Sequence, residues 1–236
     1  MRTTERLCPI EGLDYCGQCR CARLVPGGYF DFAIQSPTRL LLSLAAAYGK
    51  EIPAAVLMTG LQASLRSLNR KRPKEIGPVM GELNRMVCHL PLDEFHVSMF
   101  CAEIDSSART LHYVNAGHAA PLVIRHGTSR VLHLANSGTV LGLTARTRFE
   151  QRTLPFDSGD VLVAVSEMDS VSEDLLIEVV RRHPWDSSGE LTRRLMRIIP
   201  PGDRGERTVV VVRAVEAMAD ALVAHADDQM LLAQAV

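Results

Sequence analysis

Apolar residues change their period along this chain, and each change marks an element. Through the first two thirds, short runs either alternate apolar with polar positions or stay apolar briefly: "RCARLV", "YFDFAI", "RLLLSLAAA", "FHVSMFCAEID", "TLHYVNAG", "PLVIRHG", "RVLHLA", "RFEQRTLPF" and "DVLVAVS". Several are bounded by Gly, Asn, Asp or Ser, which predicts a meander of mostly antiparallel strands. Two segments interrupt it with apolar residues at helical spacing, "IPAAVLMTGLQASLRSLNRK" and "EIGPVMGELNRMVCHL", and Pro53 suits the first turn of the former. The last third adds the amphipathic helices "SEDLLIEVVRRH" and "GELTRRLMRII", a break at "PPGDRGER", and "TVVVVR", whose unbroken apolar run predicts a central, buried strand. A closing helix follows, with Val215, Met218, Leu222, Ala226 and Met230 on one face. The pattern predicts an α+β fold, with residues 1–213 as one domain and 214–236 as an appended amphipathic helix.

Composition narrows the functions. The chain has 236 residues, 47% of them hydrophobic, enough for a core that needs no disulfide staples. With 26 basic and 27 acidic residues the formal net charge is −1, which gives no reason to expect nucleic acid or an anionic membrane as partner. No apolar run is long enough to span a bilayer and the amino terminus lacks a signal-like stretch, so a cytoplasmic protein is expected. Cys16, Cys19 and Cys21, with Cys8 upstream, have the close spacing of zinc thiolates. In a strand, however, Cys19 and Cys21 share a face while Cys16 points the other way, so packing as small apolar residues is the expectation.

Six segments, in order, resemble the SpoIIE/RsbU-like branch of the PPM metal-dependent serine/threonine protein phosphatases, over about residues 7–213. "CARLVPGGYFDF" is similar to the family's first motif and "LLLSLAAAYGKEIPAAVLM" to its second, normally Ala-Asp-x-x-Gly-x-Gly before a helix. "LHYVNAGHAAPLVIR" resembles its Asn-Ala-Gly-His hairpin, "GTVLGL" its Gly-x-x-Leu-Gly turn, "FDSGDVLVAVSEMDSVSE" its Gly-Asp strand, and "GERTVVVVR" its closing Asp-Asp-x-Thr strand. The resemblance implies two mostly antiparallel sheets packed as a sandwich flanked by helices. It also implies a pair of manganese or magnesium ions, held by aspartates at strand ends, that activates water for attack on a phosphoserine or phosphothreonine.

Carried over position by position, the acids are largely missing. Gly28 stands where the first motif has its metal-binding aspartate, although Asp31, that motif's second acid, is present. Ala46 stands where the second has the aspartate between the two metals, and Glu51 replaces a glycine. Glu167 takes the aspartate place of Thr-Asp-Gly between Ser166 and Met168, and the final acidic pair reads Gly205 and Glu206. Asp31, Glu167, Asp169 and Glu206 are left as candidates for one weakly held ion. Glutamate displaces its oxygens by about one methylene, whereas a competent site tolerates errors of about 0.2 Å. His112, His118 and Asn115 are read as parts of the hairpin; His96, His126 and His133 as strand or surface residues; and "RSLNRKRPK" as a solvated basic face.

Two functions are weighed. The favoured one is a catalytically impaired phosphatase homologue that binds a protein and needs no cofactor. By resemblance its partner is an anti-sigma-factor antagonist of the STAS type in bacterial partner-switching, with a homodimer through the final helix as a further expectation. The alternative is a divergent active phosphatase that uses Glu167 and Glu206 with Mn2+ or Mg2+.

Overall fold

The computed structural model describes residues 2–4, 10–21, 28–48, 54–71, 75–90, 95–166, 172–201 and 206–216. Its strands begin with β1 (Arg2–Thr4), β2 (Leu13–Cys21), β3 (Gly28–Ser36) and β4 (Arg39–Tyr48). Two helices follow, α1 (Ala54–Lys71) and α2 (Ile76–Cys88), then β5 (His96–Asp105), β6 (Thr110–Ala116), β7 (Leu122–Ile124) and β8 (Val131–His133). The chain continues through β9 (Arg152–Pro155), β10 (Val161–Val165), α3 (Glu173–Arg182), α4 (Ser188–Ile198) and β11 (Glu206–Ala214). Six strands form one sheet in the order β1-β2-β11-β10-β7-β8, and five form a second in the order β3-β4-β5-β6-β9. Neighbouring strands pair antiparallel in both sheets.

The period of two along each strand divides the apolar residues among three cores. Facing the other sheet are Leu40, Leu42 and Leu44 of β4 and Phe100 of β5, packed in one cluster with Leu162 and Ala164 of β10 and Val210 and Val212 of β11. The alternate residues point outward: Leu41 and Met99 lie under α1 and α2, while Val163, Val209 and Val211 lie under α3 and α4. Each fully buried side chain of this kind contributes about 1.5–3 kcal/mol, so the sheets need apolar residues on both faces. That requirement explains the unbroken run in β11, which lies between β2 and β10 as a central strand should. Gly17 of β2 leaves room for the Phe30 ring of the other sheet, since a Cβ there would lie 2.3 Å from it.

Three expectations shift. The strand read from "RCARLV" starts earlier, at Leu13, because Leu13 and Tyr15 supply the inward-facing contacts; residues 22–27 lie outside the described set. "RFEQRTLPF" is a strand only over Arg152–Pro155, because Phe149 turns into the core beneath α2. The closing helix expected over 214–236 does not start at 214: Ala214 ends β11, Val215 follows it by donating its amide to the Gly12 carbonyl, and residues 217–236 lie outside the described residues.

Candidate functional site

Five strands place small or polar residues at one end of the sandwich. β3 begins there with Gly28, β4 and β5 bring Ala46 and Ser98, β10 runs out into Ser166, and β11 begins with Glu206 and Thr208. Register sets Gly28 opposite Ala46 and Ala46 opposite Ser98. Parity makes them face inward: Gly28 shares a face with Phe30 and Phe32, Ala46 with Leu44, Ser98 with Phe100, and Glu206 with Val210 and Val212. Glu206 spans the gap between the sheets, its Oε2 accepting a hydrogen bond from the Gly28 amide at 3.1 Å. Beside it the Ser166 hydroxyl accepts from the Thr208 amide at 3.0 Å, and the Ser98 hydroxyl donates to the Ala46 carbonyl at 3.5 Å.

The backbone does not require a glycine at position 28. A Cβ built there would stand 3.4 Å from the Ala45 carbonyl and 3.6 Å from Glu206 Oε2, close to ordinary contact. An acid at Gly28 would therefore project toward Glu206, and one at Ala46, opposite Gly28 in register, would share the same inward face.

Of the sequence candidates, the structure brings Gly28, Ala46 and Glu206 together. Asp31 is not with them. Three residues along β3 from Gly28, it lies on the opposite face, under α1, where Arg66 grips it with Nε and Nη2 each 2.7 Å from a carboxylate oxygen. Arg66, the first residue of the basic run "RSLNRKRPK", stays exposed as expected but turns its guanidinium onto Asp31. Tyr29, partly buried on the same face of β3 as Asp31, lies 3.3 Å from the Ser43 hydroxyl, and burial raises its phenol well above the ordinary value. Glu51, Glu167, Met168, Asp169 and Gly205 lie outside the described residues.

The Asn-Ala-Gly-His stretch forms a closed hairpin. Asn115, fully buried, donates from Nδ2 to the Leu134 carbonyl at 2.9 Å and accepts the His118 amide at 2.8 Å. Gly117 has φ +70°, and a Cβ there would lie 2.3 Å from Val140 Cγ1, so both backbone and space exclude a side chain. His118 is buried, with Nδ1 3.0 Å from the Ala119 carbonyl, and burial lowers its affinity for a proton. His112 contacts Thr153, His133 contacts Glu173, and His96 stacks on Tyr48.

Cys19 faces inward opposite Thr208, whereas Cys16 lies on the α4 side of β2. The side chain of Cys21, and all of Cys8, lie outside the described residues. Among the described residues, no three His, Cys, Asp or Glu side chains converge to hold a metal. Sequence reasoning missed Thr208 and Arg66. The parity of "TVVVVR" carried a signal for Thr208, which falls on the inward set with Glu206.

The geometry has clear relatives. The RsbU and RsbW domains of Rv1364c from Mycobacterium tuberculosis superpose with a TM-score of 0.72 at 17% identity, over 89% of this chain and 63% of that one. The chain therefore spans less than two thirds of that structure's length. The catalytic domain of the serine/threonine protein phosphatase PstP, solved with two manganese ions, gives a TM-score of 0.68 at 16% identity, covering 86% of this chain and 99% of that one. The PP2C phosphatase domain of SpoIIE from Bacillus subtilis, solved with a fragment of its regulatory domain, gives 0.67 at 15%, covering 86% and 62%. These likenesses establish the PP2C-type fold. No curated protein matches the chain. The family model for stage II sporulation protein E matches residues 36–233, most of the chain, which therefore belongs to the SpoIIE family.

Proposed function

We propose that this chain is a SpoIIE-type phosphatase domain that no longer assembles a two-metal centre and acts by binding a protein partner. The observation that carries the reading is the Gly28–Ala46 register pair, which puts two residues without side-chain oxygens at the strand ends, with the Glu206 carboxylate bonded to the Gly28 amide. Two divalent ions bring four positive charges and require several carboxylate oxygens. The described strand ends offer Glu206 and three hydroxyls, and Asp31 is held by Arg66 on the far face. Such a donor set does not fit a pair of divalent ions, and the Ser98 and Ser166 hydroxyls are already engaged with backbone groups.

The partner class follows from the relatives. Because the fold is shared with RsbU domains, a STAS-type anti-sigma-factor antagonist is the first candidate, bound without dephosphorylation. Manganese calorimetry on chelator-treated protein tests the loss of metal, and mixing with a purified STAS-domain antagonist, phosphorylated and unphosphorylated, tests capture. No heat with manganese and a stable complex with one form are expected. Tight metal binding that disappears in Glu167→Ala with Glu206→Ala overturns the reading in favour of an active, divergent phosphatase, which the Glu206 carboxylate at the strand ends keeps in view.

A further inference from the structure

At the opposite end of the six-stranded sheet lies a pocket of about 490 Å³ with no part in that chemistry. It forms where β7 ends, β10 begins, α3 stops and β11 nears its end at Arg213, roughly 20 Å along β11 from Glu206 by strand rise. Every charged side chain lining it is basic: Arg125, Arg181 and Arg213, joined by His126 and His183.

The arginines differ in how their charge is met. Arg125 is matched by Asp160, which it contacts directly, and by Asp157 at 3.6 Å. Arg181 donates to the Ser129 carbonyl at 2.5 Å, while Arg213 donates to the Pro184 carbonyl at 2.5 Å and to the Asp186 carbonyl. Carbonyl oxygens satisfy hydrogen bonds without cancelling a charge. Among the described residues neither Arg181 nor Arg213 has a carboxylate within ion-pair distance, and the Nε of Arg213 is buried with no hydrogen-bond partner. Asp186, whose carbonyl Arg213 holds, gives its carboxylate to Arg194 at 2.5 Å, and Glu178, three residues before Arg181, pairs with Arg182 at 2.5 Å.

We infer that this pocket binds the phosphate group of a small phosphomonoester. Two guanidiniums form forked donors suited to oxyanions, and the three acceptor oxygens of a phosphate engage more of these donors than the two of a carboxylate. Val161, Val180 and Leu191 give the pocket an aliphatic side that accommodates an organic substituent on the phosphate. The volume exceeds what inorganic phosphate would fill and lies in the ordinary range for small-ligand sites.

The pocket carries its own reporter. Trp185, the one tryptophan of the chain, is 90% exposed and sits between the two residues whose carbonyls Arg213 holds. A ligand that engages Arg213 perturbs that turn and changes Trp185 emission.

Phenyl phosphate titrated into the full chain, followed by calorimetry and by Trp185 fluorescence, tests the assignment. Saturable binding is expected, tighter than for inorganic phosphate or phenylacetate, and weakened about tenfold or more in Arg181→Gln and in Arg213→Gln. Arg181 is exposed, so its variant keeps the fold, which thermal unfolding checks. The inference is overturned by the absence of saturable binding up to about 10 mM. It is equally overturned by phenylacetate or inorganic phosphate binding as tightly as phenyl phosphate, or by unchanged affinity in both variants.

Discussion

The Asn115–His118 hairpin and the strand ends around Gly28 belong to the same fold, yet they obey different constraints. In the hairpin each residue answers a demand of the backbone: the Asn115 amide closes two hydrogen bonds, and Gly117 occupies a conformation and a space closed to any side chain. At the strand ends the register of Gly28, Ala46 and Ser98 is carried by main-chain pairing, and nothing in the packing prescribes which side chains project there. The fold therefore depends on its turn residues, and the acids of a metal site can leave its strand ends without disturbing it. Chemistry and architecture are separable here because they reside in different atoms.

The largest effect that could break this contrast is at the hairpin. Asn115→Ala leaves the Leu134 carbonyl and the His118 amide buried without partners, at a cost of about 3 kcal/mol. For a domain of this size that lowers the melting temperature by roughly 10 °C in calorimetry. A loss of under about 1 kcal/mol would mean that the hairpin is no more constrained than the strand ends.

The strand ends predict the opposite behaviour. Gly28→Asp with Ala46→Asp adds two carboxylates facing Glu206, and mutual repulsion costs about 1–2 kcal/mol in chelator-treated protein. Manganese should reverse that loss and raise the melting temperature above that of the metal-free variant, because an ion bound only by the folded state stabilises it. The unaltered chain should show no such rise. Equal stabilisation of both proteins by manganese would show that the strand ends already hold an ion, and the contrast would fail.

How much of this could be read in the sequence follows the same division. The strands from β3 onward, the four described helices and the hairpin were legible, because period and turn chemistry are local properties of neighbouring residues, whereas β1 was not read and β2 was read only at its end. The central place of β11 was legible too, since a strand buried on both faces must be apolar throughout. Adjacency in a motif misled at Asp31, which sits close to Gly28 in sequence but across the sheet from it in space. Two contacts were beyond sequence reading, Arg66 with Asp31 and Glu206 with the Gly28 amide. Each depends on how one layer is laid on the next, which no local pattern encodes.

A smaller effect separates Asp31 from the strand ends experimentally. Asp31→Asn keeps the shape but removes the charge that Arg66 meets, and because the Arg66 side chain is 46% exposed the pair is worth only about 1 kcal/mol. The loss should appear in urea unfolding, with manganese binding to the Gly28→Asp, Ala46→Asp variant unaltered. Weaker manganese binding would place Asp31 within reach of the ion after all.

The smallest effect is one of pH, and it returns to the hairpin. Burial lowers the proton affinity of His118 below the ordinary imidazole value of 6.5, so the unfolded chain takes up a proton at this position before the folded chain does. Its contribution to stability is full above the ordinary value, declines as pH falls below it, and levels off once the folded-state value is passed. Urea unfolding at about pH 7 and about pH 5.5 should show a decrease in the unaltered protein that is smaller in His118→Gln, compared as differences so that the cost of the substitution itself cancels. Identical pH slopes would mean that His118 can be protonated inside the folded hairpin. The backbone around Gly117 would then tolerate a charge that its burial argues against, and the hairpin would be less closed than its hydrogen bonds indicate.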